Sequence, residues 1–385
     1  MNKNRVIVAV IASLTALSSF SSYAASPRFA RTDEEWARLE DNVIEYEEID
    51  GLVHEYNLKV LENDKAYNDF IKKYGKTRED IADKYRELAD DLEDSMTGED
   101  GMGLITDYNL QLQADNLRDQ ADDNLEDSYI YHQQYSSEEA NIVKDVKAKF
   151  IEYYTSQIDL EIANYTLQKL NIALDTVMSK YNYGVAVKSD ILAAQEAVLK
   201  QEKTVEELKQ SIEKARQDLI ISCGWSATAY PEIRQVPEFN AEMADVIIGA
   251  IDVNADAEEA IANNYTLKIN QRKFENASYG DNKDLLDKTI ADNKIRIRAS
   301  IDTSYKSLQT SYRVYLQGIA DSETLAMEAQ QINEKYSLGL VTPIDVENQE
   351  IAVKIQDLTN HKNLLQLFNS YENYIADVNG TASAN

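Results

Sequence analysis

The sequence predicts an all-α protein, an elongated long-helix coiled-coil bundle that contains two internal repeats. Three observations support this fold class. The 385 residues include only four prolines and 12 glycines, so long stretches lack the residues that most often interrupt helices. Apolar residues beyond position 140 recur at steps of three and four. A glycine-centred motif that joins two such stretches occurs twice.

The charge and cysteine content of the chain limit its chemistry. With 68 acidic and 39 basic residues the formal net charge is −29, which argues against nucleic acid and anionic lipid head groups because phosphates would be repelled. The hydrophobic content of 43% still permits a sizeable core. Cys223 has no partner for an internal disulfide, and we expect it to be a partly buried apolar side chain.

The first 24 residues have the layout of a secretory signal peptide. Lys3 and Arg5 give a basic start, residues 6–17 form a short apolar run, and Ser22 and Ala24 supply small residues before a cleavage site at Ala25. An uncleaved membrane anchor would need about 20 apolar residues, and this run is shorter. We therefore expect export from the cytoplasm.

Long amphipathic helices are indicated by the spacing of apolar residues. One series is Val205, Leu208, Ile212, Ala215 and Leu219, and its mean spacing near 3.5 residues is that of a coiled-coil seam. Helices are predicted over 142–181, 190–222, 291–336 and 344–378. Each would be about 50 to 70 Å long at a rise of 1.5 Å per residue.

The repeat is indicated by paired landmarks. The segment KYNYGVAVKSDI at 180–191 reappears as KYSLGLVTPIDV at 335–346, an offset of 155. Tyr56 pairs with Tyr265 at an offset of 209, which predicts 54 extra residues in the first half. The predicted divisions are a signal peptide at 1–24, a first repeat at 25–225 with an acidic insert at about 76–137, a linker at 226–254, a second repeat at 255–380 and a tail at 381–385.

Each copy of the motif is predicted to join two helices at a glycine. Gly184 and Gly339 lie just past the predicted helix ends, where a residue takes positive φ at little cost only if it is glycine. In the second copy Thr342 can cap the next helix, Pro343 suits its first turn, and Asp345 lies three residues past the cap.

The first copy departs from this pattern at its cap. Val187 replaces the threonine and Lys188 replaces the proline, so we expect Ser189 to cap the helix instead. Each motif is thus predicted to form the tip of a helical hairpin. Periodicity alone leaves open that the tips are well-made turns with no further role.

The two tips, between long amphipathic helices and behind a signal peptide, resemble the TolC-like outer-membrane efflux family. The match is closest at 335–346, which is similar to the periplasmic hairpin of that family, and 256–277 is similar to its repeat-opening helix. The resemblance covers about 45–75 and 140–380. It implies a trimeric α-helical tunnel that docks by its tips onto a membrane-fusion adaptor, which is bound in turn to an inner-membrane ABC or proton-driven pump.

By this resemblance the docking residues lie at the two tips. They are Tyr181, Gly184, Val185, Ala186, Asp190, Tyr336, Gly339, Leu340, Val341, Thr342, Pro343 and Asp345. We expect neither catalysis nor a bound cofactor. The residues agree, since the three histidines lack partners at metal-ligand spacing and the sequence has no phosphate-binding loop or nucleophile elbow.

The sequence departs from the family where membrane strands are expected. A membrane strand needs about 9–11 residues of alternating polarity, whereas the second-half interval 278–284 has seven residues, three of them charged. The acidic insert lacks that alternation, and Leu104, Ile105, Tyr108 and Leu112 are spaced as in a helix. We therefore expect the membrane β-barrel to be absent or vestigial. The family implies the outer membrane and periplasm, and the missing strands suggest the outer face of a single-membrane cell.

A second function is compatible with the same sequence. A secreted coiled-coil spacer or adhesin with no transport role would also be exported, acidic and helical. The duplicated tip favours the conduit, because a spacer has no need for two glycine-centred tips.

Overall fold

A computed structural model describes residues 26–98, 102–234, 236, 239–277 and 280–385. The predicted signal peptide lies outside these ranges. Within them the chain forms twelve α-helices and two two-residue strands. The helices are α1 Asp33–Leu39, α2 Ile49–Tyr56, α3 Leu58–Tyr74, α4 Arg78–Asp94, α5 Met102–Asp123, α6 Ser128–Asn182, α7 Lys188–Ser222, α8 Ala241–Ala250, α9 Val253–Asn263, α10 Tyr265–Asn276, α11 Asp281–Ser337 and α12 Pro343–Ala376. The all-α prediction is confirmed.

Two short strands and a π-helical turn accompany the helices. Strands β1 (Val43–Ile44) and β2 (Glu232–Ile233) pair in parallel and fasten the predicted linker to the start of the first repeat. The predicted linker also contains α8. A π-helical turn at Asp377–Thr381 follows α12 directly.

The four long predicted helices are confirmed as α6, α7, α11 and α12. Two of them begin ten or more residues earlier than predicted, α6 at Ser128 and α11 at Asp281, whereas α7 and α12 begin within two residues of the predicted start. Between Ile130 and Ala140 the start of α6 has no aliphatic residue, so no apolar spacing of three and four extends the predicted helix back to Ser128. The side chain of Asp127 accepts a hydrogen bond from Ile130 N at 3.0 Å and fixes this start.

The long helices form two antiparallel hairpins, α6 with α7 and α11 with α12, and α12 also packs against α6. Lys362 of α12 contacts both carboxylate oxygens of Asp159 on α6, at 2.6 and 2.7 Å. Phe150 and Leu219 are fully buried in the first hairpin, and Ile301 is fully buried in the second. All three lie in the half of their hairpin that is away from the tip.

The two helices of each hairpin are joined in the same register by an equivalent hydrogen bond. The side-chain amide of Gln201 donates to the carbonyl of Ala163 at 3.0 Å, and that of Gln356 donates to the carbonyl of Gly318 at 3.2 Å. Both donor and acceptor are related by the predicted offset of 155 residues. The landmarks that the sequence paired in these helices therefore have equivalent positions in the two hairpins.

The opening helix of each half is interrupted by an asparagine. Asn57 separates α2 from α3, and Asn264 separates α9 from α10. The side-chain oxygen of Asn57 caps α3 by accepting from Lys59 N at 3.0 Å, and that of Asn264 caps α10 by accepting from Leu267 N at 3.0 Å. The segment 256–277 is therefore two helices rather than one.

The two asparagines correct the predicted register of the opening helices. Asn57 and Asn264 are 207 residues apart, whereas we paired Tyr56 with Tyr265 at 209. The structural offset places 52 extra residues in the first half instead of 54. The error arose because the Tyr-x-Leu-Lys identity at 56–59 and 265–268 outweighed the cap, which is the feature that packing preserves.

The side-chain amides of both asparagines bind the C-terminal end of the second long helix of their own half or the chain just beyond it. Asn57 Nδ2 donates to Ser222 O at 2.8 Å. Asn264 Nδ2 donates to Ala382 O at 2.7 Å and to Gly380 O at 3.3 Å. These bonds hold the opening helices to the end of the long hairpins that lies away from the tips.

The insert of the first half is helical, as the spacing of Leu104 to Leu112 predicted. Helices α4 and α5 form a hairpin of their own, closed inside by small side chains such as Ala89 and Ala114. Its base joins the start of α6, where Ser128 N donates to Lys76 O at 3.1 Å. The hairpin therefore lies at the end of α6 that is away from the first tip.

Candidate functional site

The first tip follows α6 and is closed by backbone hydrogen bonds. Gly184 N donates to Tyr181 O at 2.9 Å, and Val185 N donates to Lys180 O at 2.8 Å. This pairing reverses the chain through a glycine with φ of 72°, as predicted. The positive φ allows the turn to be made within five residues, so that α7 begins at Lys188.

The second tip repeats these bonds between α11 and α12. Gly339 N donates to Tyr336 O at 2.9 Å, and Leu340 N donates to Lys335 O at 2.9 Å. The φ of Gly339 is 73°, within one degree of its counterpart. The two turns therefore have the same backbone geometry although eight of the twelve paired residues at 180–191 and 335–346 differ.

The predicted cap of the second tip is confirmed in full. Asp345 N donates to the hydroxyl of Thr342 at 3.3 Å, and Thr342 N donates to the Asp345 carboxylate at 2.8 Å. Pro343 is the first residue of α12. The Thr342 backbone N–H, followed by the Thr342 hydroxyl, lowers the pKa of Asp345, because both donate to the ionised carboxylate.

The cap that we predicted at the first tip is wrong. Ser189 lies inside the first turn of α7, and Val187 occupies the capping position. The carboxylate of Asp190 accepts from Val187 N at 2.9 Å, so half of the reciprocal arrangement survives without a hydroxyl. Serine is the better capping residue by type, but the aspartate fixes the start of the helix two residues earlier.

Both tips lie at the same end of the molecule. Helices α6 and α12 are antiparallel, since Asp159 contacts Lys362 whereas Gln168, nearer to the first tip, donates to Glu347 at 3.1 Å. On α12, Glu347 is nearer to the second tip than Lys362 is. Moving along α6 towards the first tip is therefore also moving along α12 towards the second tip, so the two glycine turns lie at the same end.

The tips expose apolar side chains. At the first they are Tyr181, Tyr183, Val185 and Val187, and at the second Tyr336, Leu338, Leu340 and Ile344. We call these eight residues the tip surface. Tyr183 is 86% exposed and Leu338 is 72% exposed, whereas Tyr181 and Tyr336 in the preceding helix turns are 44% and 47% exposed. Exposed apolar side chains grouped at one end of a molecule are typical of an interaction site.

The tip surface only partly coincides with the predicted docking residues. Tyr183, Val187, Leu338 and Ile344 were missed, although apolar residues in a short turn between amphipathic helices were a signal for them. Of the predicted residues, Ala186 and Val341 are half-buried, and the remaining ones are exposed.

The ionisable groups most perturbed by folding are away from the tips. His54 of α2 pairs with Glu139 of α6, with Nδ1 and Oε1 2.7 Å apart, and this hydrogen bond raises the pKa of His54 despite its burial. Burial lowers the pKa of His132. Among the described residues no group of three or more His, Cys, Asp or Glu side chains is arranged to hold a metal ion.

Known families and structures were compared with this chain. The pattern of the family described as outer membrane efflux protein matches residues 80–224, which span α4 to α7 and include the first tip. No curated protein matches the chain. The resemblance to the outer membrane efflux family is confirmed.

Solved structures agree with the family match at the level of the fold. The outer-membrane channel OprN has a TM-score of 0.50 at 11% identity, with 94% of this chain and 95% of that chain covered. CusC has a TM-score of 0.50 at 10% identity, and the match covers 94% of this chain and 98% of that chain. A membrane protein from Pseudomonas aeruginosa has a TM-score of 0.51 at 12% identity, and the match covers 91% of this chain and 91% of that chain.

The efflux family and the fold are both those of channel proteins. This chain covers at least 91% of the length of each of these three structures, whereas the family match covers residues 80–224. In the described ranges no helix combines the length and the apolar character that crossing a bilayer requires.

Proposed function

We propose that this chain is the conduit component of an export system: a homotrimeric helical tunnel in the cell envelope that docks by its two tips onto a membrane-fusion adaptor. The adaptor in turn is bound to a pump that supplies the energy. The observation that carries this proposal is the tip surface, which places eight exposed apolar side chains on two identical glycine turns at one end of four long helices.

The matched geometry of the tips supports docking. The bonds at Gly184 and Gly339 agree to within about 0.1 Å, and both glycines face open space. In a closed ring of copies the two turns of every chain would present similar apolar groups at one level. An adaptor that contacts alternating tips needs this similarity, whereas a spacer does not.

The decisive experiment replaces the two glycines. The Gly184→Val/Gly339→Val variant should lower capture of the membrane-fusion adaptor of the source cell at least tenfold in a pull-down, because valine resists positive φ and the turns must change. Helicity measured by far-ultraviolet circular dichroism should be almost unchanged, since both substitutions lie outside the helices.

The matched control is Gly98→Val. Gly98 also has positive φ, 67°, and open space around it, but it lies in the loop of the insert. The control should bind the adaptor normally. If the tip variant retains capture, the docking assignment is wrong. If the wild-type protein is a monomer or a solid rod by light scattering and negative-stain imaging, the conduit is wrong and the spacer is supported.

A further inference from the structure

The α4–α5 hairpin is the most acidic part of the chain. Residues 78–123 contain 15 acidic and four basic residues. The basic side chains are already engaged within the hairpin or at its base: Lys84 pairs with Glu87, Arg86 with Asp122, and Arg118 with Asp90, while Arg78 donates to Asn124 O at 2.8 Å.

One face of this hairpin is apolar and uncovered. Leu104, Ile105, Tyr108 and Leu112 of α5 are 64%, 63%, 69% and 51% exposed. Their spacing places them on one side of the helix within a third of its circumference. We call these four residues the hairpin stripe. The inner side of α5 is formed elsewhere, by Ala114 and Ala121, both of which are buried.

The hairpin stripe carries no charge, although the hairpin around it does. From residue 102 to residue 114 the only ionisable side chain with a charge at neutral pH is Asp107. Its carboxylate is turned to the loop of the hairpin, where it accepts from Gly98 N at 2.8 Å and from Thr97 N at 3.0 Å. The exposed positions beside the stripe include Asn109 and Gln113, which are polar but neutral.

This charge distribution selects among possible occupants of the stripe. Helices that bind at a lipid surface usually carry lysine and arginine on the polar face, and here the few cations are paired. A basic protein would be drawn to the carboxylates of α4 and of the second half of α5, not to a neutral face. When the stripes of two copies meet, no like charges face each other across the contact. Apolar association also needs no charge complementarity between the two surfaces.

We propose that the hairpin stripe packs against the same stripe on other copies of this chain. Ile105, Tyr108 and Leu112 are separated by three and four residues, which is the spacing of a coiled-coil seam. Two such helices can interdigitate along about two turns. The stripe then removes four exposed apolar side chains per copy from water, which favours association.

This inference rests on the proposed conduit. Four side chains form a contact far smaller than the roughly 800 Å² per partner of a stable interface, so the stripes pair only if the rest of the assembly holds the copies together. In a ring, identical residues of different copies meet only near the rotation axis. The hairpins would therefore converge on the axis at the end of the assembly away from the tips.

Cysteine cross-linking of the full-length chain tests this arrangement. Leu112→Cys under mild oxidation should give at least tenfold more disulfide-linked dimer on non-reducing gels than Glu87→Cys, a control on α4 whose side chain is 61% exposed. Tyr108→Cys should behave as Leu112→Cys does. The native Cys223 does not interfere, because it is fully buried and its burial raises the pKa of the thiol to about 12.

The outcomes separate this inference from the conduit itself. If light scattering shows an oligomer but Leu112→Cys cross-links no better than Glu87→Cys, the stripe pairing is overturned and the conduit stands. If the chain is monomeric, both are overturned. If the wild-type chain floats with phosphatidylcholine vesicles and Leu112→Asp does not, lipid covers the stripe and the pairing is overturned.

Discussion

The two ends of the long hairpins use glycine in different ways. Gly184 and Gly339 at the tips have positive φ, and a Cβ added to either would meet no atom within 4 Å. Gly224 and Gly380 at the opposite end also have positive φ, but an added Cβ would lie 2.8 Å from Tyr56 O or Asn263 O. Tyr56 and Asn263 are themselves equivalent, each preceding the asparagine of its half.

This difference separates what holds the fold from what is available for function. At the end away from the tips, glycine is required both by backbone conformation and by the close approach of another backbone. At the tips it is required by conformation alone, and the side chains around it contact mainly solvent. The tips can therefore change without loss of the fold, which is what a docking surface needs.

The largest expected effect is at Gly224. Gly224→Ala should lower the free energy of unfolding by about 3 kcal/mol or more, because alanine adds steric overlap with Tyr56 to the strain of positive φ. Gly184→Ala should cost only about 1 kcal/mol, since strain is its only penalty. Urea unfolding followed by circular dichroism measures both, and equal losses would contradict the contrast between the two ends.

The two capping asparagines should be nearly as important for stability as Gly224 and Gly380. Asn264→Ala removes the cap of α10 and leaves the carbonyls of Gly380 and Ala382 without their donor, which should cost about 2–3 kcal/mol. Asn57→Ala should cost a similar amount, because it caps α3 and binds one carbonyl. Asn109→Ala on the exposed face of α5 is the control and should cost less than about 0.5 kcal/mol. If Asn264→Ala costs as little as this control, Asn264 does not hold α10 to the chain at Gly380 and Ala382.

A pH-dependent effect is expected at the same end of the molecule. The hydrogen bond that the His54 ring donates to the Glu139 carboxylate raises the pKa of His54. The stabilisation by this pair is therefore present below the ordinary histidine pKa of about 6.5 and is lost as pH rises through the raised value. Glu139→Gln should therefore cost roughly 1–3 kcal/mol at pH 5.5 and much less at pH 9. Unfolding curves at the two pH values give the difference, and a cost independent of pH would exclude an ionised pair.

The sequence predicted local structure well where one signal dominated. The long helices followed from apolar spacing, and the second tip followed from Gly339, Thr342 and Asp345, whose positions are fixed by backbone geometry within a few residues. The resemblance to the efflux family followed from the same segments, because the tips occur twice in matched surroundings.

The remaining features depend on contacts between distant residues. His54 and Glu139 are 85 positions apart, and no local pattern relates them. The pairing of Asn57 with Asn264 was missed because their function lies in carbonyls far along the chain. At the first tip, residue preference favoured Ser189, whereas the actual start of α7 depends on which carboxylate reaches a free backbone N–H.

The smallest expected effect distinguishes the two tips from each other. Val187→Thr supplies the hydroxyl that Thr342 provides at the second tip, so that Asp190 N gains an acceptor and the reciprocal cap is completed. The variant should gain about 0.5–1 kcal/mol of stability, and Thr342→Val should lose about as much. Hydrogen exchange of the first turn of α7 and of α12 would measure each change where it occurs. A loss at Val187→Thr would mean that the valine makes an apolar contact at the first tip that outweighs the missing cap.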